Sequence, residues 1–534
     1  MPTHDVVNQA PPRINIDEFA ANRTLVDGVA RFDADWALGE LRQIGKEVGG
    51  EAFQLDAVKA NTQVPVLHSH DRYGHRIDEV EYDESYHRII RAAVARGAHT
   101  SAWADDRPGA NVARAAAFML FAQVEPGHAC PVSMTHAAVP ALAASPELTE
   151  AWLPRLLSRD YDADLSEGKS SALFGMAMTE KQGGSDVRAN STSAVDAGDG
   201  RWLLTGHKWF CSAPMSDAFL VLAHAPGGLS CFLLPRVLQD GSRNEFAIQR
   251  LKDKVGNRSN ASCEVEFDGS SAFLLGEEGR GVATIIDMVA RTRLDCVLGT
   301  AAGMRQSVAE ALWLVRHRGA FGAKLIDQPA MTSVVADLAL ESEAATLTGL
   351  RLARAHDADA SDQERAFRRL ATAVSKYWVC KRGPEHAYEA MECLGGNGYI
   401  EDFAVGRRYR EQPVMAIWEG SGNVIALDVL RAITREPETI DTFLAEVSLA
   451  DGVHPVFDAY LAQTRTMLGE SPDAGQARRL TERLALTLQA ALMLRFSPAA
   501  AAEAFVESRL GEERGRLYGV LSAGADLRAI LDRH

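Results

Sequence analysis

The sequence predicts an α+β fold in which helical, β and helical domains follow one another. Three observations lead there. Apolar residues recur at helical spacing through the first ~170 positions, the period shortens to that of strands between 173 and 281, and the helical period then returns. Helices, then strands, then a bundle is the order of separate layered domains, not of an alternating α/β sheet. The expected division is an N-terminal helical domain at 1–172, a β domain at 173–281, a helical bundle at 282–438 and a further helical segment at 439–534. A chain of 534 residues fits three or four domains.

In the first domain, Leu38, Leu41, Ile44 and Val48 form one stripe that Asp33 or Asp35 can cap and Gly49-Gly50 ends. Residues 110–123 are Ala-rich and apolar nearly all round, as a buried helix is. His68, His70, His75 and His87 lie among Asp71, Asp78, Glu81, Asp83 and Glu84, the ingredients of a metal site. Tyr73-Gly74 marks a turn, however, and residues 77–83 alternate like an exposed strand, so a hairpin is expected there and no metal.

In the β domain, segments 201–212, 218–224 and 230–234 are short, apolar and separated by turn signals. Pro226-Gly227-Gly228 joins two of them as a hairpin, and residues 262–267 alternate cleanly. The strands are expected to pair antiparallel. After Gly279-Arg280-Gly281 a helix runs to Arg318, with a bend expected near Gly299 or Gly303. Helices at 331–356 and 364–394 follow, the second stopped by Gly395-Gly396-Asn397-Gly398. A last bundle helix starts near 423, with Ser421 or Asn423 as its cap. Residues 439–534 are rich in Ala, Leu, Arg and Glu and helical in pattern, with Pro455 and Pro472 as breaks.

Composition excludes several classes. Hydrophobic residues make up 46% and charged residues 24%, an ordinary globular balance. No apolar run approaches the ~20 residues of a membrane span, and residues 1–13 lack the apolar core of a signal peptide, so the expected location is the cytoplasm. Seven scattered cysteines without a Cys-x-x-Cys pair read as reduced, packed thiols. The formal charge of −16 disfavours general adhesion to nucleic acid.

The stretch that carries chemistry is 174–190, FGMAMTEKQGGSDVRAN. Gly183-Gly184 breaks it between Glu180-Lys181 and Ser185-Asp186, and paired glycines let a backbone approach a ligand closely as readily as they make a plain turn. With TEKQGGSD at its centre, the stretch resembles the flavin-contacting loop of acyl-CoA dehydrogenases, and specifically their AidB-like branch. The resemblance continues in matching order from about Asn8 to about Arg431.

The resemblance implies an N-terminal helical domain, a middle β-barrel and a four-helix C-terminal bundle, and it implies FAD. A flavin needs a hydrogen-bonded ring edge, a stabilised diphosphate and exclusion of water. Ring contacts are implied for Met176, Met178 and Thr179, with Ser185 closing the loop. Phe210 would cover the ring face and Ser212 its reactive edge; by residue type alone they are a core aromatic and an ordinary hydroxyl. Arg318, with Phe321, matches the family pattern Arg-x-x-Phe-Gly, with Gln328 ten residues on. An arginine there suits either a phosphate or the dipole of its own helix. Gly395-Gly396 reads as a second phosphate segment or as a helix cap. In the family both segments reach the flavin of a neighbouring subunit, which implies a homo-oligomer, a tetramer.

Glu419, in IWEGSGN, is implied as the base that takes the α-proton of a short or branched acyl-CoA thioester while a β-hydride goes to the flavin. Trp418, Ser421 and Asn423 flank it at the cofactor. Some relatives place the base before an arginine of the first bundle helix; here Thr292 precedes Arg293, which leaves Glu419. Trp418 stands where the family has tyrosine, and Ala290 where many relatives carry an aspartate toward coenzyme A. Electrons would pass to an external acceptor. The alternative function is a flavoprotein that binds or protects DNA in the alkylation response. Residues 441–534 hold ten arginines, no lysine and thirteen Asp and Glu, so any duplex DNA binding there is expected to be weak. Arg478, Arg479 and Arg483, or Arg509, Arg514 and Arg516, are the clusters that could serve it.

Overall fold

The computed structural model describes residues 3–470, 472–512 and 515–534, so Glu513 and Arg514 of the arginine-rich segment lie outside it. The chain forms two compact units. One comprises Leu55–Asp105 and Glu125–Asp295; the other comprises residues up to Gln54, Asp106–Val124 and Cys296–His534.

In the first unit, β1 (Val66–His70) and β2 (Arg76–Glu81) make the expected hairpin, and His68 bonds Glu81 across it at 2.8 Å. Seven more strands build the sheet: β3 (Phe174–Ala177), β4 (Ser193–Asp196), β5 (Trp202–Ser212), β6 (Ala218–Ala225), β7 (Gly228–Pro235), β8 (Ala247–Leu251) and β9 (Ser262–Leu275). Pairings run β6 to β4, β5, β9, β7 and back to β6, closing a barrel, with β3 attached to β6 and β8 to β9. Closure leaves the ring strands without free edges. β6 and β7 are buried almost end to end, which is why they read as unbroken apolar runs.

The sheet is mixed where antiparallel pairing was expected: β3 and β4 both run parallel to β6. Long excursions separate these strands in sequence, and such crossovers return the chain to the same end of the sheet, as a tight turn cannot.

In the second unit, helix Asp362–Cys393 packs with Pro329–Arg354 and Gly422–Arg435, and its Cys380 Sγ accepts from the Thr300 hydroxyl in the C-terminal part of Ile286–His317. That last helix is unbroken through Gly299 and Gly303, and an interruption lies at Ile285. Gly303 has another reason to be glycine. A Cβ there would fall 2.0 Å from Gln412 Nε2, and one on Gly383 would fall 2.3 Å from Gln412 Oε1. Gln412 belongs to Ala404–Met415, a short helix that the sequence pattern did not reveal, as it did not reveal Arg23–Arg31.

The C-terminal segment is helical throughout its longer elements. Helix Ala477–Phe496 packs against Pro329–Arg354, Asp362–Cys393 and Gly422–Arg435, burying Leu480, Leu484, Leu488 and Leu492. Two of its arginines are engaged inside the fold: Arg509 pairs with buried Asp337 and Glu341, and Arg483 bonds Thr464 and Tyr460. All seven cysteines are free and buried. No helix among the described residues is long and apolar enough to cross a membrane.

Candidate active site

The barrel unit holds the loop 174–190. β3 lies on β6 with Met176 opposite Leu220, and Met176 and Met178 are half-buried against the core. The amide of Trp209 donates to the Thr179 carbonyl at 2.8 Å, tying the end of β3 to β5. Thr179, two residues past β3, is thereby held against β5, which carries Phe210 and Ser212. The Phe210 ring is half-exposed and Ser212 Oγ lies 3.0 Å from Ser262 Oγ. Ser185 is exposed in the following loop. Gly183 has φ +128° and open space where a Cβ would be, so its backbone is bare to an approaching ligand.

What fixes this loop is an ion pair without a sequence signature. Glu180 and Lys208 are both fully buried, 2.8 Å apart. Glu180 also accepts from the amides and hydroxyls of Ser191 and Thr192, while Lys208 donates to the Leu222 carbonyl. Burial pushes the Glu180 carboxyl up, but Lys208 and these donors together hold it down at about 2. Each half of the pair is satisfied, the condition under which buried charge is tolerated. Glu180 pointing inward turns Lys181 outward, its ammonium 5.8 Å from the Trp209 ring centroid.

The helical unit holds the remaining residues in three places. Arg318 follows the helix ending at His317 and leads into a tight turn, where Phe321 (φ +52°) is 99% exposed. Gln328 Nε2 bonds the Ala320 carbonyl of that turn at 3.0 Å. Gly395 (φ +60°) and Gly396 end helix Asp362–Cys393, and neither has an atom near where a Cβ would be. The plain capping role of Gly395 is therefore present, and it leaves open backbone beside it. Asn8 joins these places: its side-chain amide makes two bonds to the backbone of Gly319, at 2.7 and 2.8 Å, and the next residue, Gln9, accepts from Asn397.

The third place is Glu419. It sits at φ +57°, followed by Gly420 at φ +109°, just before helix Gly422–Arg435. A glutamate in the left-handed region is strained and persists only where the surroundings impose it. Here Lys376 imposes it: from helix Asp362–Cys393 its buried ammonium donates to the carbonyls of Trp418 (2.8 Å) and Gly420 (2.6 Å), on either side of Glu419. Trp418 packs on Cys296, Cys380 and Met415. Ser421 and Asn423 are exposed at the helix start, and Ser421 makes no side-chain capping bond.

A helical domain, a closed β-barrel and a long-helix bundle, with a strained glutamate loop before the last bundle helix, define the acyl-CoA dehydrogenase architecture. Comparison with known proteins agrees along the chain. Residues 8–163 match the adaptive response protein AidB N-terminal domain, 175–270 the acyl-CoA dehydrogenase middle domain and 279–434 the acyl-CoA dehydrogenase C-terminal domain. The chain belongs to the acyl-CoA dehydrogenase family, in its AidB branch. It is 43% identical to AidB of Escherichia coli K12 over 96% of this chain and 95% of that one. It is 30% identical to acyl-CoA dehydrogenase family member 11 of Caenorhabditis elegans, over 76% of this chain and 68% of that one. The crystal structure of C. elegans ACDH-11 in complex with C11-CoA superimposes with TM-score 0.85 at 26% identity, covering 95% of this chain and 92% of that chain.

Proposed function

We infer that this protein binds FAD and dehydrogenates an acyl-CoA thioester at its α,β carbons, with Glu419 as the base. The observation that carries the reading is the Lys376 clamp, which holds a single glutamate in a strained, defined position. A fixed carboxylate at a loop tip is what proton abstraction beside a carbonyl requires. The chain's membership of the acyl-CoA dehydrogenase family supports the same role.

The residues present fit FAD. Half-exposed Phe210 offers a ring face, Thr179 a partly exposed hydroxyl, and Gly183, Gly395 and Gly396 offer bare backbone. Met176, Met178, Thr179, Ser185, Phe210 and Ser212 would hold the isoalloxazine; Arg318, Phe321, Gln328, Gly395, Gly396, Trp418, Ser421 and Asn423 would hold the remainder. When bound, FAD supplies a two-electron acceptor for the β-hydrogen, and an external acceptor then reoxidises it. Glu419 takes the α-proton, and Lys376 keeps its backbone from relaxing as the charge changes. One fold neighbour, a glutaryl-CoA dehydrogenase of Mycobacterium smegmatis, was solved in complex with FADH2.

The fully exposed Phe321, with Tyr399 at 87% exposure, supports a homo-oligomer, a tetramer in this reading, in which these turns reach a neighbouring subunit. Duplex DNA remains a secondary, weak ligand, because Arg483 and Arg509 are occupied within the fold. A cytoplasmic location accords with the absence of a membrane-spanning helix among the described residues.

Anaerobic addition of acyl-CoA thioesters of graded length, undecanoyl-CoA included, tests the reading through bleaching of the flavin. Glu419→Gln should keep FAD and slow bleaching by ~10²–10⁴-fold. Bleaching at the unaltered rate would remove Glu419 from the reaction, and a chain that takes up no FAD would end the reading.

A further inference from the structure

The turn after helix Ile286–His317 is a two-residue hairpin. Gly319 pairs with Lys324 and Ala320 with Ala323, and between them Phe321 and Gly322 lie at φ +52° and +83°. Two successive left-handed residues suit Asn-Gly or Gly-Gly, and a bulky side chain at the first position adopts that conformation under strain. Packing within the chain does not explain the phenylalanine, because its ring is 99% exposed. Strain of this kind persists only where the surroundings impose it, and it collects where a protein meets a ligand.

Two side chains brace the hairpin. Gln328 bonds the Ala320 carbonyl from the start of the next helix. Asn8, 311 residues away in sequence, takes the backbone of Gly319: its amide nitrogen donates to the Gly319 carbonyl at 2.8 Å and its amide oxygen accepts from the Gly319 N–H at 2.7 Å. One side chain thus does for Gly319 what a neighbouring strand would do. Asn8 itself lies at φ +59°, a region that asparagine enters more readily than most residues with a Cβ. The chain beside it is pinned twice more. Gln9 Oε1 accepts from Asn397 at 3.2 Å, in the turn that Gly395-Gly396 opens, and the Pro11 carbonyl accepts from the Trp313 indole at 2.7 Å. The same short stretch therefore holds the hairpin, the glycine turn and the helix leading to the hairpin.

We propose that Asn8 is a positioning residue for the cofactor. It fixes the Arg318–Phe321 hairpin and, through Gln9, registers it against the Gly395-Gly396 turn, in the arrangement that takes the half of FAD remote from the ring. The proposal rests on the FAD reading and adds to it a part for the N-terminal segment. Asn8 acts through backbone and reaches no reacting atom, so its effect falls on cofactor affinity and leaves the ring's surroundings alone.

Full-length Asn8→Gly keeps the left-handed backbone and removes both bonds. Hydrogen exchange at the Gly319 amide should accelerate by roughly tenfold or more. Protein freed of bound flavin should then take up FAD about three- to thirtyfold more weakly, as the loss of two exposed hydrogen bonds predicts. At saturating FAD the absorption spectrum of the bound flavin should match that of the unaltered protein. FAD affinity unchanged while Gly319 exchanges faster overturns the proposal, because the hairpin is then free and the cofactor indifferent to it. Unchanged exchange at Gly319 overturns it by showing that the clasp holds nothing. A shifted flavin spectrum at saturation overturns it as well, by making Asn8 a support of the fold at large. If the unaltered chain binds no FAD, the function reading itself fails and takes the proposal with it; equal FAD binding by both chains sinks the proposal alone.

Discussion

Removing the Lys208 ammonium should unlock the 174–190 loop while leaving the barrel folded. In Lys208→Met the stem still fills its place in β5, but Glu180, fully buried, loses the cation 2.8 Å from it. Breaking a buried pair by deleting one partner costs about 3–5 kcal/mol, because a charge is left uncompensated. A carboxyl displaced from 4.5 to about 2 gives a figure of the same size, about 3 kcal/mol, for its partners net of the cost of burial. The amides of Ser191 and Thr192 donate to Glu180, so their hydrogen exchange reads the loss locally. Exchange there should accelerate by roughly 10²- to 10³-fold, and FAD retention should fall with it. The double variant Glu180→Gln/Lys208→Met carries neither charge and should recover more than half of the protection. Glu180 is depressed in the folded state, so its contribution is complete above about pH 4.5 and fades as pH falls toward 2. Exchange at these two amides unchanged in Lys208→Met would refute the argument.

Phe321→Asp, at a turn tip with no cover of its own, should leave secondary structure intact and shift the mass in light scattering toward smaller species, with weaker FAD retention; an unchanged mass and flavin content would place the subunit contact elsewhere. Gly303→Ala should destabilise by about 1–3 kcal/mol, since its methyl meets Gln412, and Gln412→Ala should relieve it in a denaturation series. Duplex DNA titrated at 50 and 200 mM salt should bind modestly and lose most of its affinity at the higher value; tight binding that survives would mean the arginines of 441–534 are freer than their contacts indicate.

Much of this architecture was legible because its causes are local. The change from helical to strand period at 173 and back after 281, the apolar run 110–123 and the Gly395-Gly396 stop all depend on neighbours within a few positions. So does the Glu419-Gly420 kink, whose residues announce a turn before a helix. The resemblance to a flavoprotein family rests on such short stretches in order. It names candidate residues in both units, but not what holds them.

Those supports belong to the tertiary structure. Lys208 and Glu180 are twenty-eight residues apart, and Lys376 lies forty-four from Gly420; nothing near either lysine marks it as different from a surface charge. Gly303 reads as a flexible point until Gln412, from a helix the periodicity missed, is placed against it. Arg478 reads as one of ten solvated arginines until Tyr377, from another helix, is placed against it. Periodicity along a chain reports which face of an element meets the core, and it cannot report which group on another element it meets there. Charge satisfaction and close packing are properties of such meetings, so the fold alone decided which lysines became buried clamps and which glycines had to be glycine.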